Sequence, residues 1–289
     1  MDAARSLTRR TAERFGFLWE REARETPPEA FHYRLLCSRL PPGHLRGRVL
    51  DAGCGAGIDT LHLAEAHDGG LVVGIELSEA GARLARHRTR HLANARVVQG
   101  DLQRLAFNDA AFDFVYSYGV LHHLMSPERG FQELVRVLKP GGVMAIYVYE
   151  DFQRRAPIER AALAAANSLR ALTTRLPVRL LFAGCWVASP LIVLSCAWPA
   201  HLLAQVPAFS AVSRRIPFHH GTTPWSLVGD LFDRFAAPIE HRYNASELAD
   251  WFTAAKLEAV QLLPHRGWLA IGRKPARQVA DACAASAAS

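Results

Sequence analysis

Residues 49–57 read VLDAGCGAG, an apolar run that ends in the carboxylate of Asp51 and is followed by a loop in which three of five residues are glycine. Glycine tolerates positive φ angles and lets a ligand come close to the backbone. A helix-like pattern that begins near Ile58 adds the free amides of its first turn. The stretch therefore predicts a ligand site at the end of a strand.

Apolar strand-like runs alternate with helix-like patterns between residues 46 and 149. Strands that are apolar throughout and alternate with helices indicate a parallel sheet covered on both faces, a doubly wound nucleotide-binding architecture. In such a sheet, ligands bind outside the carboxyl ends of the strands where the strand order reverses. The predicted strands are 48–53, 70–76, 95–101, 112–118 and 143–149, and the predicted helices are Ile58–Ala66, Ser78–Leu92 and Pro127–Leu138, the last closed by Lys139-Pro140-Gly141-Gly142 as a stop.

Three carboxylates at predicted strand ends limit the kind of ligand. The loop spacing is G-C-G-A-G and not the G-x-G-x-x-G of dinucleotide sites. Asp51 before the loop would repel a pyrophosphate, so it favours a cationic ligand and disfavours a nicotinamide oxidoreductase. Glu76 closes the second strand, where a carboxylate accepts hydrogen bonds from a ribose diol, and Asp101 closes the third, near the expected place of an adenine amino group.

Five motifs together carry a family resemblance: VLDAGCGAG, VVGIELS, QGDLQRLAF, FDFVYSYGVLHHL and LVRVLKPGG, in this order. The segment 46–149 resembles the class I S-adenosylmethionine-dependent methyltransferases, and within them the small-molecule branch with the quinone and sterol C-methyltransferases. The resemblance implies an α/β fold: a doubly wound, Rossmann-like sheet of seven strands whose last strand is antiparallel. It also implies S-adenosyl-L-methionine as the cofactor, bound over the first three strand ends.

The family pattern assigns cofactor-binding roles to residues of this chain. Asp51 and the loop from Gly53 to Gly57 would hold the methionine and sulfonium end, and Glu76 would hold the ribose. A packed turn or helix cap is a plausible alternative role for Asp101, and Cys54 is expected to be a small filler of the loop and not a nucleophile. The full predicted set is Asp51, Gly53, Cys54, Gly55, Gly57, Glu76, Leu77 and Leu102 with Asp101 at the adenine, and Ser117 at the amino-acid part through its backbone.

Candidate catalytic residues follow the fourth and fifth strands, which face the transferred methyl group in this family. A sulfonium methyl is already electrophilic, so the protein must align the acceptor and exclude water. A general base is required only if the acceptor loses a proton. For His122 and His123 a packed structural role ranks ahead of a catalytic one. The candidates are Tyr118, His122, His123, Tyr147, Tyr149, Glu150 and Asp151.

Composition gives only weak indications of partners and location. The net charge is +7, but 31 of the 34 basic residues are scattered arginines, so nucleic acid is not indicated. The five cysteines lack CxxC pairs and metal-finger spacing, so no metal site is predicted and a reducing compartment fits. Charges in the first fifteen residues exclude a visible secretion signal, and the expected location is the cytoplasm or its membrane face.

A long uncharged segment follows the predicted core. Residues 180–213 contain no Lys, Arg, Asp or Glu, and their length suits a membrane span, although Pro190 and Pro199 interrupt them. Farther along the chain, residues 244–255 predict an amphipathic helix that starts with a capping-box pattern of Asn244 and Glu247. A single crossing by residues 180–213 is disfavoured because residues 257–275, with a turn at 265–267, look like the sixth and seventh strands of the same sheet. Three interpretations stay open for this expected helical pair: a lid over a greasy acceptor pocket, a segment that dips into one leaflet, or packing on the core or a second subunit.

The sequence thus predicts a methyltransferase that acts on a small, largely apolar acceptor, prenyl, polyketide or lipid-like. A membrane-associated lipid or quinone methyltransferase and an inactive cofactor-binding module are the alternatives. A nucleic-acid amino-methyltransferase is disfavoured because 117–120 read SYGV and not [DNS]-P-P-[YFW]. The expected parts are an N-terminal helical cover (1–45), the cofactor-binding core (46–150), an apolar helical lid (151–225), a part completing the sheet (226–275) and a disordered tail (276–289), with the first ten residues disordered as well.

Overall fold

The structure is a computed structural model that describes residues 2–25, 31–40, 45–67 and 69–276. Its contacts divide the chain into two compact units. The first, called the sheet unit, comprises Met1–Ala156 with Ile239–Ser289, and the second, called the helical unit, comprises Pro157–Pro238. The predicted tail lies, from residue 277 onward, outside the described residues.

The sheet unit is built on seven strands in the order β3-β2-β1-β4-β5-β7-β6. Strand β7 pairs antiparallel with β5 and with β6, whereas the neighbours from β3 to β5 are parallel. The predicted doubly wound sheet with an antiparallel last strand is therefore confirmed. The strands are β1 Arg48–Ala52, β2 Leu71–Glu76, β3 Ala95–Gln99, β4 Phe112–Tyr118, β5 Leu138–Val148, β6 Glu258–Pro264 and β7 Trp268–Arg273.

Helices cover both faces of this sheet because neighbouring strand residues point to opposite sides. Leu50 joins a core that includes Phe131 and Phe252, and Val49 joins a second core that includes Leu63. Both strand residues are fully buried, as the continuous apolar pattern predicts. The helices of the sheet unit are α1 Asp2–Glu25, α2 Phe31–Cys37, α3 Ile58–Ala66, α4 Glu79–Thr89, α5 Pro127–Val137 and α11 Ala245–Ala254.

Local sequence signals decide where several helices begin. Ser78 caps α4, since its hydroxyl accepts a hydrogen bond from the amide of Gly81. Asn244 and Glu247 form a reciprocal capping box at the start of α11, as the sequence predicts. The expected disorder of the first ten residues is wrong for 2–10, which form the first turns of α1.

The expected stop after α5 has a different form in the structure. The helix ends at Val137, and Lys139-Pro140-Gly141-Gly142 belongs to the start of β5 instead of standing outside the sheet. The pairing with β4 jumps from Phe112 opposite Leu138 to Phe114 opposite Val143. The tetrapeptide therefore bulges out of the ladder, a conformation that Gly141 permits at its φ of 79°.

The helical unit contains a long apolar helical run in place of the interrupted pair expected from the prolines. Helix α7 (Val178–Ile192) continues through a π-helical turn (Val193–Ala197) into α8 (Trp198–Ala204). The amide of Trp198 donates to the carbonyl of Val193, five residues back, so the turn widens directly before Pro199, whereas Pro190 lies inside α7. The remaining helices are α6 Pro157–Thr173, α9 Ser210–Ser213 and α10 Val228–Ala236.

Candidate cofactor and acceptor site

The carboxyl ends of β1, β2 and β4 bring the predicted cofactor residues to one edge of the sheet. β1 pairs with β2 on one side and with β4 on the other, so the strand order reverses at β1. Asp51 lies near the end of β1, Glu76 ends β2, and Ser117 lies near the end of β4. This is the position at which doubly wound sheets bind ligands.

The glycine loop is closely packed and held in place by the backbone of β2. The amides of Gly53 and Cys54 both donate to the carbonyl of Ile75, at 2.8 and 3.0 Å. Gly57, at the start of α3, has a φ of 79°, and a Cβ at this position would lie 2.6 Å from the Cβ of Ala85. Positive φ and lack of space thus both require glycine there.

Asp51 is a buried acid directly before this loop. Its side chain is 2% exposed, and its Oδ2 atom accepts a 2.6 Å hydrogen bond from the hydroxyl of Thr60. Burial, and after it the negative charge of Asp59, raise the pKa of Asp51 to about 8. A positive group beside Asp51 would restore its charged form, so this position favours a cationic ligand.

Glu76 links the glycine loop to the end of β2. Its carboxylate is 6% exposed and accepts the amide of Gly55 at 3.1 Å and the amide of Ser78 at 2.7 Å, one on each oxygen. Burial raises the pKa of Glu76 to about 7 in spite of these hydrogen bonds. Each carboxylate oxygen can accept a second hydrogen bond, which leaves capacity for the hydroxyls of a ribose.

The other predicted cofactor residues have structural roles in the described contacts. Asp101 Oδ1 accepts the amide of Gln103 at 2.8 Å, the turn-capping role considered as its alternative. The hydroxyl of Ser117 donates to the carbonyl of Ala52 at 2.9 Å and so ties β4 to β1. Leu102 and Cys54 are buried, and Leu77 is half-buried.

Trp19 of α1 lies against the glycine loop. A Cβ on Gly55 would be 3.0 Å from the indole ring, and a Cβ on Gly81 would be 2.8 Å from it. Phe15, one turn earlier, stacks on Trp19 with ring centroids 5.7 Å apart and lies 5.0 Å from the ring of His123. Of the other aromatics in the predicted cover, the side chain of Phe31 lies outside the described residues.

A continuous series of aromatic rings runs over the ends of β4 and β5. Tyr118 stacks on His32 at 3.9 Å and on Tyr147 at 4.3 Å. Tyr149 then meets Tyr147 edge to face at 6.2 Å and lies 3.9 Å from His122. We call these five rings the aromatic series; their flat, electron-rich faces suit a planar apolar acceptor or a cation.

Both histidines of the HH pair lie at the end of this series, but their environments differ. His122 is fully buried, and neither ring nitrogen has a hydrogen-bond partner within the described part of the chain. Burial, then His123, Arg242 and His241, lower the pKa of His122 well below its usual value, so its ring is neutral. His123 contacts the carbonyl of Ile239 through Nδ1 at 2.7 Å, which makes Nδ1 the donor and leaves Nε2 as an acceptor.

The two acids after β5 both have hydrogen-bond partners within the protein. Glu150 forms a two-pronged ion pair with Arg155, with the shortest contact at 2.7 Å. Asp151 accepts the amide of Gln153 at 3.0 Å and the side-chain amide of Asn244 at 3.4 Å. These contacts support a structural role for both acids, which leaves Tyr149 as the residue after β5 that belongs to the aromatic series.

Sequence reasoning missed a further acid, Asp59, in the first turn of α3, whose side chain is only 13% exposed. Its Oδ2 atom accepts a hydrogen bond from the hydroxyl of Tyr116 at 3.0 Å and lies 3.3 Å from Nδ1 of His32. Its Oδ1 atom is buried without a partner among the residues that the structure describes. An acid in the first turn of a helix matches an ordinary dipole effect, so the local sequence gives no signal of this network.

The fold and these acids define a class of protein. A sheet of this order, with a glycine loop at the strand ends where the order reverses, belongs to the Rossmann-like folds. Two buried acids, Asp51 and Glu76, lie at the same edge, and a positive group beside Asp51 would convert it to its charged form. In the described residues, no group of three or more His, Cys, Asp or Glu side chains could hold a metal ion.

Comparison with known proteins gives the family. Residues 50–146 match the family described as a methyltransferase domain. A rice protein, 24-methylenesterol C-methyltransferase 2, is 38% identical over 109 residues, which are 37% of this chain and 29% of that protein. The demethylmenaquinone methyltransferase of Staphylococcus carnosus is 34% identical over 97 residues, 33% of this chain and 40% of that protein. The domain belongs to the class I S-adenosylmethionine-dependent methyltransferases, the family that the motifs indicate.

A solved structure supports the fold over a longer part of the chain. One chain in a Haloferax volcanii complex between a methyltransferase activator and a methyltransferase is 16% identical, with a TM-score of 0.52, and the match covers 90% of this chain and 94% of that one. At this identity the likeness shows the fold alone. The matches to the rice and Staphylococcus proteins span less than half of either relative's length.

Proposed function

We propose that this chain transfers a methyl group from S-adenosylmethionine to a small, largely apolar acceptor. The observation that carries the proposal is the pair of buried acids, Asp51 and Glu76, at the two sides of one glycine loop. Burying a carboxylate without a counter-charge is costly, so a site that keeps two of them there fits a ligand with a positive charge and hydroxyl donors. The family model supports the same cofactor.

When bound, S-adenosylmethionine supplies an electrophilic methyl group. Asp51 holds the positive amino-acid end, and Glu76 holds the ribose through its free lone pairs. Trp19 and Phe15 exclude water from the side of α1, because their rings lie against the glycine loop and His123. Such alignment and exclusion of water accounts for most of what a methyl transfer needs from a protein.

The aromatic series is proposed as the acceptor surface. Its members contribute flat, weakly polar faces, and Tyr118, which stacks on His32 and on Tyr147, stays partly accessible. Burial, then the neighbouring Tyr147 and Asp59, raise the pKa of Tyr118, so its phenol stays protonated and neutral. Two of the relatives carry names that specify a methylenesterol and a demethylmenaquinone, which are both apolar acceptors.

A histidine is available as a general base if the molecule that receives the methyl group must lose a proton. The carbonyl of Ile239 holds the Nδ1–H of His123, which orients this ring and leaves Nε2 for another partner. His122 is neutral, but it is fully enclosed. We propose His123 for proton transfer and His122 for positioning Tyr149, whose ring lies 3.9 Å from that of His122 at a tilt of 30°.

The experiment joins cofactor binding to acceptor discovery. Calorimetry would measure S-adenosylmethionine binding to the wild type, Asp51→Ala and Glu76→Ala; binding that stays unchanged in both variants would refute the site. Incubation with methyl-labelled cofactor and a cell extract, followed by mass spectrometry, would identify the acceptor. An inactive cofactor-binding module would bind S-adenosylmethionine but label no species, and a nucleic-acid enzyme would label RNA or DNA.

The location and the arrangement of parts are proposals too. We propose a cytoplasmic protein in which residues 1–45 cover the cofactor. Contact of the segment 180–213 with a membrane would give such a protein access to an apolar acceptor. The exposed side chains of α7 and α8 indicate which face would make that contact.

A further inference from the structure

The helical unit presents a straight apolar stripe to the outside. Six large side chains along α7 and α8 are between 46% and 66% exposed. At 100° per residue they all fall within about 40° of a common direction. We call them the outward stripe: Leu180, Val187, Leu191, Leu194, Trp198 and Leu202.

The opposite side of the same helical run is already covered by protein. Its buried residues follow one another at spacings of three or four and form a separate face, and the hydroxyl of Ser189 among them donates to the carbonyl of Pro224 at 2.7 Å. Phe182 also contacts Phe232 of α10 with ring centroids 5.7 Å apart. The buried residues are Leu181, Cys185, Ser189, Val193, Ala197 and Ala200. The outward stripe is thus a second apolar face, where a helix on a protein surface normally carries polar residues.

The charges of the helical unit indicate which kind of partner suits the outward stripe. No charged residue occurs from 180 to 213, whereas exposed arginines stand directly before and after: Arg175, Arg179, Arg214 and Arg215. The helical unit has seven arginines and three acidic residues, an excess of positive charge. An apolar stripe in an uncharged segment that arginines flank in the sequence matches the interface of an anionic lipid layer, which offers acyl chains bordered by negative head groups.

The connectivity excludes a single crossing of the bilayer. The run from Val178 to Ala204 is 27 residues long and apolar enough to span a membrane by length and composition. However, β5 precedes it and β7 follows it, and these two strands pair with each other. Both ends of the helical unit must therefore lie on the same side of a membrane, which a single crossing does not allow.

We propose that the outward stripe inserts into one leaflet of an anionic membrane, with α7 and α8 parallel to its surface and the flanking arginines at the head groups. This inference is independent of the methyl acceptor. The membrane proposal rests on the helical unit alone, so it would still stand if the chain did not bind S-adenosylmethionine.

The experiment is flotation of the purified full chain with lipid vesicles. Vesicles of phosphatidylcholine alone are compared with vesicles that contain about one third phosphatidylglycerol. We expect co-flotation with the anionic vesicles and at least tenfold weaker binding to the neutral ones. Arg175→Gln with Arg179→Gln should remove most of this preference, since each arginine near such a surface increases binding about fivefold.

Variants of the stripe itself provide the matched comparison. Leu191→Gln with Leu194→Gln should weaken flotation at least tenfold, while Leu191→Met with Leu194→Met should float like the wild type because the face stays apolar. Circular dichroism and S-adenosylmethionine binding would establish that both double variants are folded. Tryptophan fluorescence of the wild type should shift to shorter wavelength with anionic vesicles as Trp198 enters the lipid.

Three results would overturn the proposal. The first is a wild type that floats with neither composition. The second is flotation that the glutamine pair leaves unchanged, which would place lipid contact elsewhere. The third is a dimer, detected by light scattering in the absence of lipid, that the glutamine pair dissociates and that does not float, since the stripe would then be an interface between two copies of the chain.

Discussion

The raised pKa of Asp51 makes cofactor binding depend on pH in a direction that can be calculated. In the free protein this pKa is about 8, so about one tenth of the molecules carry a charged Asp51 at pH 7 and about nine tenths at pH 9. Only the charged form pairs with a cation. The association constant for S-adenosylmethionine should therefore rise about tenfold from pH 7 to pH 9.

Glu76 should also make the association constant rise with pH, by a smaller factor. Its pKa of about 7 leaves it half charged at pH 7, which adds a factor of about two over the same range. The cofactor's own amino group loses its proton in this pH range and acts in the opposite direction. The quantity to test is therefore the difference between the wild type and Asp51→Asn, which keeps the shape and the Thr60 hydrogen bond but does not titrate.

The assay is isothermal titration calorimetry at pH 6.5, 7, 8 and 9. At pH 7, measurements in two buffers with different ionisation enthalpies give the number of protons released on binding, about 0.9 from Asp51. Asp51→Asn should bind more weakly and lose this release. Equal pH dependence in the two proteins, or proton uptake by the wild type at pH 7, would refute the assignment of Asp51 to the positive end of the cofactor.

Three further predictions follow from single contacts. Asp51→Asn should raise the free energy of unfolding of the cofactor-free protein at pH 8 by a few kcal/mol, because the raised pKa means that stability present at pH 4 is lost as the pH rises through 8. Gly57→Ala should destabilise the chain by at least about 2 kcal/mol in urea, since its Cβ meets Ala85, whereas Gly69→Ala, with the similar φ of 78° but no atom within 4 Å, should cost only about 1 kcal/mol. Tyr118→Ala should raise KM for the acceptor at least tenfold with little change in S-adenosylmethionine affinity.

Each of these predictions has an outcome that contradicts it. A pH-independent difference in stability between the wild type and Asp51→Asn would mean that Asp51 titrates normally in the folded protein. Equal destabilisation at Gly57 and Gly69 would show that the φ angle alone matters and that the contact with α4 does not. A loss of cofactor affinity in Tyr118→Ala would place the aromatic series at the cofactor and not at the acceptor.

The helix-capping signals show which helix boundaries the sequence can predict. Ile58–Ala66 was predicted to the residue, and the capping box of Asn244 with Glu247 was predicted as a pair, because each rests on contacts within one helical turn. The end of α5 was predicted less well. Its stop signal is real, but the bulge into β5 depends on pairing with β4, which is distant in the sequence.

The prolines of the apolar segment show the same limit. Pro190 and Pro199 each remove a helical hydrogen bond, so the sequence indicates an interruption. The structure contains both prolines in one helical run, with Pro190 inside α7 and Pro199 directly after the π-helical turn. The packing of α10 decides which face of the run is buried and which face forms the outward stripe. No local pattern in a uniformly apolar segment specifies that packing.

By itself, the sequence determined the alternating α/β architecture, the edge of the sheet that forms the site, and the cofactor family, because these depend on periodicity and on acids next to a glycine loop. Only the tertiary structure decided the state and partners of the side chains. It paired Glu150 with Arg155, gave Asp59 a network with Tyr116 and His32, and stacked the aromatic series. The physical reason is that burial and charge pairing act through space between residues far apart in the chain, whereas the sequence pattern records only neighbours.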